Sequence, residues 1–316
     1  MHVAPHLVER FGHALDALAP ERRVGVAVSG GPDSLALLLL ACAARQGQVA
    51  AATVDHGLRA EAADEARFVA GICQQIGCPH TTLAVTVAPG RSVQAEARDA
   101  RYQALSRWAS SNTLAAIATA HHADDQAETL LMRLQRGSGP AGLSGVRPAA
   151  SLHGALIVRP LLDWRKQELV EIVAAAGLTP VSDPSNRDER FDRTWARALL
   201  SSGHGLDPAR LARSAGALQE AEAALSWMID EVAPDRIRGE GETLLIDFAG
   251  LPRELRRRLL ARAIRCLDPD GAYDSLEPLL TALERGAPAT LGRVMVRPGA
   301  VWSIGLAPPR RPVRTS

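Results

Sequence analysis

The chain has 316 residues, 47% of them hydrophobic, and a formal net charge of +1. Such a length suits about two domains of ~100–200 residues each, and the near-neutral balance supplies no global basic field that would by itself announce a nucleic-acid partner. The longest apolar run, Leu35 to Ala44, is short of the ~18 residues of a membrane span, and Met1 to Arg10 lack the basic flank and apolar block of a secretory signal, so the expected location is cytoplasmic with no membrane contact.

From Arg23 to about Arg159 short apolar runs alternate with longer helical patterns, which predicts a parallel sheet flanked by helices. Five strands are expected, at Val24–Ser29, Val49–Asp55, Thr82–Val87, Ala115–Ala120 and Ala155–Arg159. Helices are expected at Asp33–Arg45, Glu61–Ile76, Val93–Ser110 and Asp124–Leu134. A glycine-rich loop, Arg136 to Pro148, and a polar stretch, Ser182 to Asp192, are too polar to serve as core. Ser201–Pro208 reads as a linker with a new helix starting near Asp207, which places a domain boundary between 203 and 204.

Residues 204–316 are expected to form a smaller, mainly helical α+β domain. Its elements are a long helix over Ala209–Val232, a strand at Leu244–Phe248, a helix over Pro252–Leu267 and two short strands near Thr290–Val296 and Val301–Ile304. Arg256, Arg257 and Arg258, and the tail residues Arg310, Arg311 and Arg314, are local basic patches. Four cysteines, Cys42, Cys73, Cys78 and Cys266, match neither a redox pair nor a zinc site and read as reduced thiols. Nor do His121 and His122 form a metal pair, since adjacent side chains point apart.

The most informative segment is Val24 to Leu37, VGVAVSGGPDSLAL, where an apolar strand runs into two glycines and then a helix. Gly30 and Gly31 permit a turn that gathers backbone N–H groups, Pro32 opens the helix, and Ser29 and Ser34 add hydroxyls, which together make an anion site. It is not a Walker A loop, which needs Gly-Lys-Ser/Thr, because the only lysine is Lys166. Asp33 is a carboxylate where phosphate is expected, and a bound Mg²⁺ resolves the repulsion. A helix-capping turn is the plain alternative.

Farther on, Asp125 and Glu128 are three residues apart and so share one helix face, with Asp124 adjacent, an arrangement able to hold an ammonium group or to cap the helix. Asp55 ends the second strand, where α/β folds place ligand contacts.

The SGGPDS string after an apolar strand resembles the loop of the N-type ATP pyrophosphatases, the PP-loop superfamily. Within that class, AHHADDQAETLLMRLQRGSGPAGLSGVR at Ala120–Arg147 resembles the motif of the bacterial tRNA(Ile)-lysidine synthetase family, as do VDHGLR at Val54–Arg59, EARDARY at Glu96–Tyr102, RPLL at Arg159–Leu162 and DPSNRDERFDR at Asp183–Arg193. The last segment departs from the family pattern at Thr194 and Ala196, while Arg193 and Arg197 are kept.

The resemblance implies an adenine nucleotide alpha hydrolase-like, Rossmann-like catalytic domain over 1–203 and an accessory, tRNA-binding domain over 204–316. It implies ATP and Mg²⁺ as cofactors, with Ser29, Gly30, Gly31, Pro32, Asp33, Ser34 and Asp55 at the nucleotide and Asp33 on the metal. Asp33, Arg101, Asp125 and Glu128 would be catalytic, the last two toward the ε-amine of L-lysine. The implied reaction joins lysine to C2 of the wobble cytidine of a tRNA(Ile) with a CAU anticodon, through an adenylated intermediate. The glycine-rich loop would be flexible and touch RNA or cover the site. A PP-loop tRNA thiolase and a non-catalytic ATP- or tRNA-binding module are the alternatives, and the sequence leaves the oligomeric state open, a homodimer included.

Overall fold

The computed structural model describes residues 2–20, 22–55, 61–85, 93–181, 193–202, 205–240, 242–273 and 275–308. Residues 56–59 of the VDHGLR motif, most of the 183–193 segment, the last two residues of the expected third strand and the tail arginines lie outside these residues. The chain divides into two units, Met1–Gln219 and Glu220–Ser316.

The first unit holds a six-stranded sheet built from β1 (Val24–Ala27), β2 (Val49–Asp55), β3 (His80–Ala84), β4 (Ala116–Ala118), β5 (Ala149–Leu152) and β6 (Ala155–Val158). Their order is β3-β2-β1-β4-β6-β5. Five strands are parallel as expected, and β5 adds an antiparallel edge that pairs with β6 through a tight turn. That turn uses positive φ at His153 and Gly154, 48° and 84°, which gives the hairpin its twist.

The helices of this unit are α1 (Pro5–Leu18), α2 (Pro32–Ala44), α3 (Glu61–Gln75), α4 (Val93–Ser111), α5 (Ala123–Gln135), α6 (Pro140–Leu143), α7 (Lys166–Ala175) and α8 (Arg193–Ser201). α2 is apolar all round, with Leu35 to Ala41 buried without a break, because it packs between the sheet, α1 and α7. On the opposite face Tyr102, Leu105 and Trp108 of α4 cover the small residues Ala27, Ala50 and Ala52. Gly25 is required there, since a β-carbon at this position would run into the Trp108 ring. α1 was not foreseen; Pro5 opens it, and Phe11 and Leu15, one turn apart, are fully buried.

Helix α9 (Pro208–Arg236) starts where the linker reading expected a helix, with Asp207 Oδ1 accepting the Ala209 N–H at 2.8 Å as its cap. The division between units falls within this helix, beyond the 203/204 position read from the sequence.

The second unit contains α10 (Arg253–Leu267), α11 (Glu277–Glu284) and a five-stranded sheet of β7 (Ile237–Glu240), β8 (Thr243–Ile246), β9 (Ala289–Leu291), β10 (Val294–Arg297) and β11 (Trp302–Leu306). The order is β7-β8-β11-β10-β9, all antiparallel, so this unit carries more sheet than the three expected strands. The arginine run of α10 is not an open basic patch. Arg256 donates to Leu251 O, Arg257 pairs with Glu254, and Arg258 spans Glu222 and Glu254.

No described helix is long and apolar enough to cross a membrane.

Candidate functional site

The strand order reverses between β1 and β4, because β2 and β3 continue to one side of β1 while β4 and β6 lie on the other. The loops leaving the carboxyl ends of these two strands flank a crevice, the usual ligand position in an open α/β sheet. A cavity of about 760 Å³ opens there.

One wall is the glycine loop. The Ser29 N–H donates to Ser34 Oγ at 3.1 Å, and that hydroxyl donates to Gly31 O at 3.0 Å, which closes the turn onto the start of α2. Gly30 has φ +84°, a left-handed backbone that favours glycine, and its carbonyl accepts the Val181 N–H at 3.1 Å. Gly31 is the extended N-cap residue, Pro32 opens the helix, and no side chain caps it. The first-turn amides and the positive end of α2 are therefore left for an anion.

The second wall comes from β4 and α5 and meets the loop at His122, which is 5% exposed. Its Nε2 lies 3.4 Å from Asp33 Oδ2 and 3.6 Å from Asp125 Oδ2, and its Nδ1 lies 3.6 Å from Asp124 Oδ2. Burial opposes a charge on this imidazole, but the surrounding Asp124, Asp33 and Asp125 outweigh it and push the pKa up to about 10. Asp124 in turn is held below the usual carboxylate range, against its own burial, by His122 and by the Lys166 N–H at 2.9 Å. Asp125 also accepts the His122 N–H at 3.1 Å, so this carboxylate caps α5 while it lines the cavity.

His121 is in the opposite state. Its Nδ1 is 3.0 Å from Thr119 Oγ1, and burial, joined by Arg159, Arg98 and Arg101, pushes it down to about 4 although Asp125 pulls upward. Adjacent imidazoles thus shift in opposite directions, one raised by carboxylates and the other lowered chiefly by burial. Arg101 of α4 lines the cavity, half-buried, and forms no ion pair among the described residues. Burial lowers its pKa.

Glu128, one turn beyond Asp125, is buried and gripped by Arg197 of α8, with Nε 2.8 Å from Oε1 and Nη2 3.2 Å from Oε2. The pairing holds the guanidinium above its ordinary pKa.

Of the residues singled out in the sequence, Ser29, Gly31, Pro32, Asp33, Ser34, Arg101, Asp125 and Glu128 line this cavity. Gly30 shapes the turn between them. Asp55 is not among the lining residues; it ends β2, and its carbonyl accepts the Val85 N–H at 2.8 Å. His121, His122 and Lys166 line the cavity without having been singled out for it, and Arg197, kept in the family segment and read there as phosphate-facing, lines it too. None of the four cysteines does.

The glycine-rich loop differs from its reading as a flexible cover. Gln126 pins it from α5, its Oε1 accepting the Val146 N–H at 2.6 Å and its Nε2 donating to Val146 O at 2.8 Å, while Gln219 donates to Ser144 O at 2.5 Å. No residue of 136–148 lines the cavity.

A metal fits one point of the site. Among the described residues no group of three or more His, Cys, Asp or Glu could hold an ion alone. Mg²⁺ commonly takes only one or two carboxylates beside substrate phosphates, and Asp33 Oδ1 is buried with no hydrogen-bond partner among the described residues.

A family model described as the PP-loop domain matches residues 3–202. The chain is 47% identical over 311 residues to a tRNA(Ile)-lysidine synthase of Novosphingobium aromaticivorans, covering 96% of this chain and 94% of that protein. It is 45% identical over 296 residues to one of Zymomonas mobilis, covering 92% and 90%. A solved U34-tRNA thiolase from Methanococcus maripaludis shares the fold with a TM-score of 0.56 at 17% identity, covering 68% of this chain and 78% of that one.

Proposed function

We propose a reaction for this cavity from one premise: the chain belongs to the tRNA(Ile)-lysidine synthase family of PP-loop enzymes. It is an ATP-dependent ligase, with the wobble cytidine of a CAU-anticodon tRNA(Ile) and free L-lysine as its substrates. The observation that carries this reading is convergence: Asp33 of an anion-binding loop, the cation Arg101, and Asp125 and Glu128 on one helix face line a single cavity.

ATP enters with its phosphates on the first turn of α2, where backbone amides and the Ser29 and Ser34 hydroxyls meet the leaving pyrophosphate. Asp33 is the residue that would hold Mg²⁺, which when bound offsets phosphate charge. The cytosine O2 attacks the α-phosphate and pyrophosphate leaves. The ε-amine of lysine then attacks C2; the C2–O2 bond breaks, AMP carries the oxygen away and one proton is released.

Arg101 stabilises the adenylate or the substrate carboxylate, while Asp125 and Glu128 orient the amine. An unpaired anticodon base can leave its stack to reach such a pocket. Residues 204–316 are assigned to tRNA recognition, and the cytoplasm, where these substrates meet, to the site of action. The absence of cysteine from the cavity favours amine over sulfur as the incoming group.

The test supplies ATP, Mg²⁺, labelled L-lysine and a CAU-anticodon tRNA(Ile) transcript to the full chain. AMP formation that requires both lysine and tRNA, with label in the wobble nucleotide, is expected. AMP release without incorporation of the label would refute the reading.

A further inference from the structure

Glu128 is the carboxylate that the proposed reaction gives to the lysine amine, and in the ligand-free protein a cation already sits on it. Arg197 approaches with a two-pronged fork, 2.8 Å to one oxygen and 3.2 Å to the other, the geometry in which guanidinium and carboxylate bind most strongly. The two ends are unequally buried. The Glu128 side chain is 6% exposed and the Arg197 side chain 42%. A carboxylate so enclosed is costly unless a cation accompanies it, whereas the Arg197 guanidinium reaches water. Both residues line the same cavity, one on α5 and one on α8.

We propose that Arg197 is a specificity-determining residue that competes with the lysine amine for Glu128. It neutralises the buried carboxylate while the amine subsite is empty and swings toward solvent when lysine arrives. An incoming amine must then displace a bidentate guanidinium, so only a ligand with its remaining contacts in place can open the subsite. This proposal rests on the reading of Glu128 as a lysine contact. If the fork is formed about nine-tenths of the time, the apparent lysine affinity is weakened about tenfold, since only the open fraction binds.

The experiment compares wild type, Arg197→Ala, Arg197→Lys and Glu128→Gln as full chains, measuring AMP formation against lysine concentration at saturating ATP and tRNA, with melting temperature recorded for each. Arg197→Ala is expected to lower the lysine KM about tenfold, and Arg197→Lys to lower it less. Added methylguanidinium should refill the vacated position and compete with lysine in Arg197→Ala but not in wild type. Arg197→Lys, which keeps the charge but not the fork, should fall between the two, and it decides the matter if the alanine variant does not fold. A lysine KM that is unchanged or raised in the Arg197 variants overturns the proposal, because a buttress for Glu128 would act in that direction. A folded Glu128→Gln with an unchanged lysine KM instead overturns the assignment of lysine to Glu128.

Discussion

The imidazole of His122, enclosed by Asp33, Asp124 and Asp125, should make the ligand-free protein lose stability as the solution becomes alkaline. Its folded pKa is about 10 against an ordinary value of 6.5. Below 6.5 both folded and unfolded chains carry the proton and the stabilisation is complete. Above 6.5 only the folded chain keeps it, so stability declines with rising pH and the contribution is gone beyond about 10. Between pH 7 and 9 nearly one proton separates the two states, which amounts to about 2 kcal/mol at 1.36 kcal/mol per pH unit, with some proton already shared at the lower limit. For a unit of this size that is a fall of about 4–8 °C in melting temperature. Urea unfolding at pH 7, 8 and 9 and constant ionic strength measures it, with His122→Asn as the control that has no proton to lose. The variant should be less stable at pH 7, because three carboxylates are left facing one another, and its midpoint should be nearly flat up to pH 9. Wild type and variant midpoints falling in parallel would refute the reasoning.

Asp33→Asn should reduce pyrophosphate release at least ~100-fold, by analogy with removal of one charge-stabilising group, while filter binding of tRNA changes little; comparable turnover would remove Asp33 from the phosphate site. Gly145→Ala should lower stability by about 2–4 kcal/mol, since its φ of +68° disfavours a side chain and the new methyl would collide with Gln126 Oε1. Gln126→Ala should cost a similar amount, and the double variant less than the two together, because removing Gln126 opens the space the methyl needs; additive losses would mean that the collision is not what matters.

Contiguity decides what the sequence discloses. The anion loop was legible because strand, two glycines, proline, aspartate and helix follow one another, so its shape depends on local backbone rules alone. The parallel sheet was legible for the same reason, strand by strand. β5 was not, because Ala149-Ala150-Ser151-Leu152 has little strand preference and forms only as the partner of β6 across a turn whose second residue is Gly154. The extra strands of the second unit are similar: β7 is mostly exposed and exists by pairing with β8.

The charge state of His122 could not be read from the sequence. Asp124 and Asp125 follow His122 closely, but Asp33 beside it and Arg98, Arg101 and Arg159 near His121 are brought there only by the fold. Arg197 stands 69 residues from Glu128, and only the packing of α8 on α5 joins them.

The glycine-rich loop shows how composition can mislead even where a motif is recognised. Its small residues suggested freedom, yet smallness here serves close approach. The amide of Gln126, 3% exposed, exchanges two hydrogen bonds with the backbone of Val146, and this is possible only if residue 145 has no side chain. Gln126 follows Asp125 directly on α5. The same helical turn that presents a carboxylate to the cavity therefore fixes the loop behind it, and any shift of that loop would be felt at the carboxylate. The glutamine of the Asp-Asp-Gln motif thus ties the loop to α5, a task that suits a neutral amide, donor and acceptor at once.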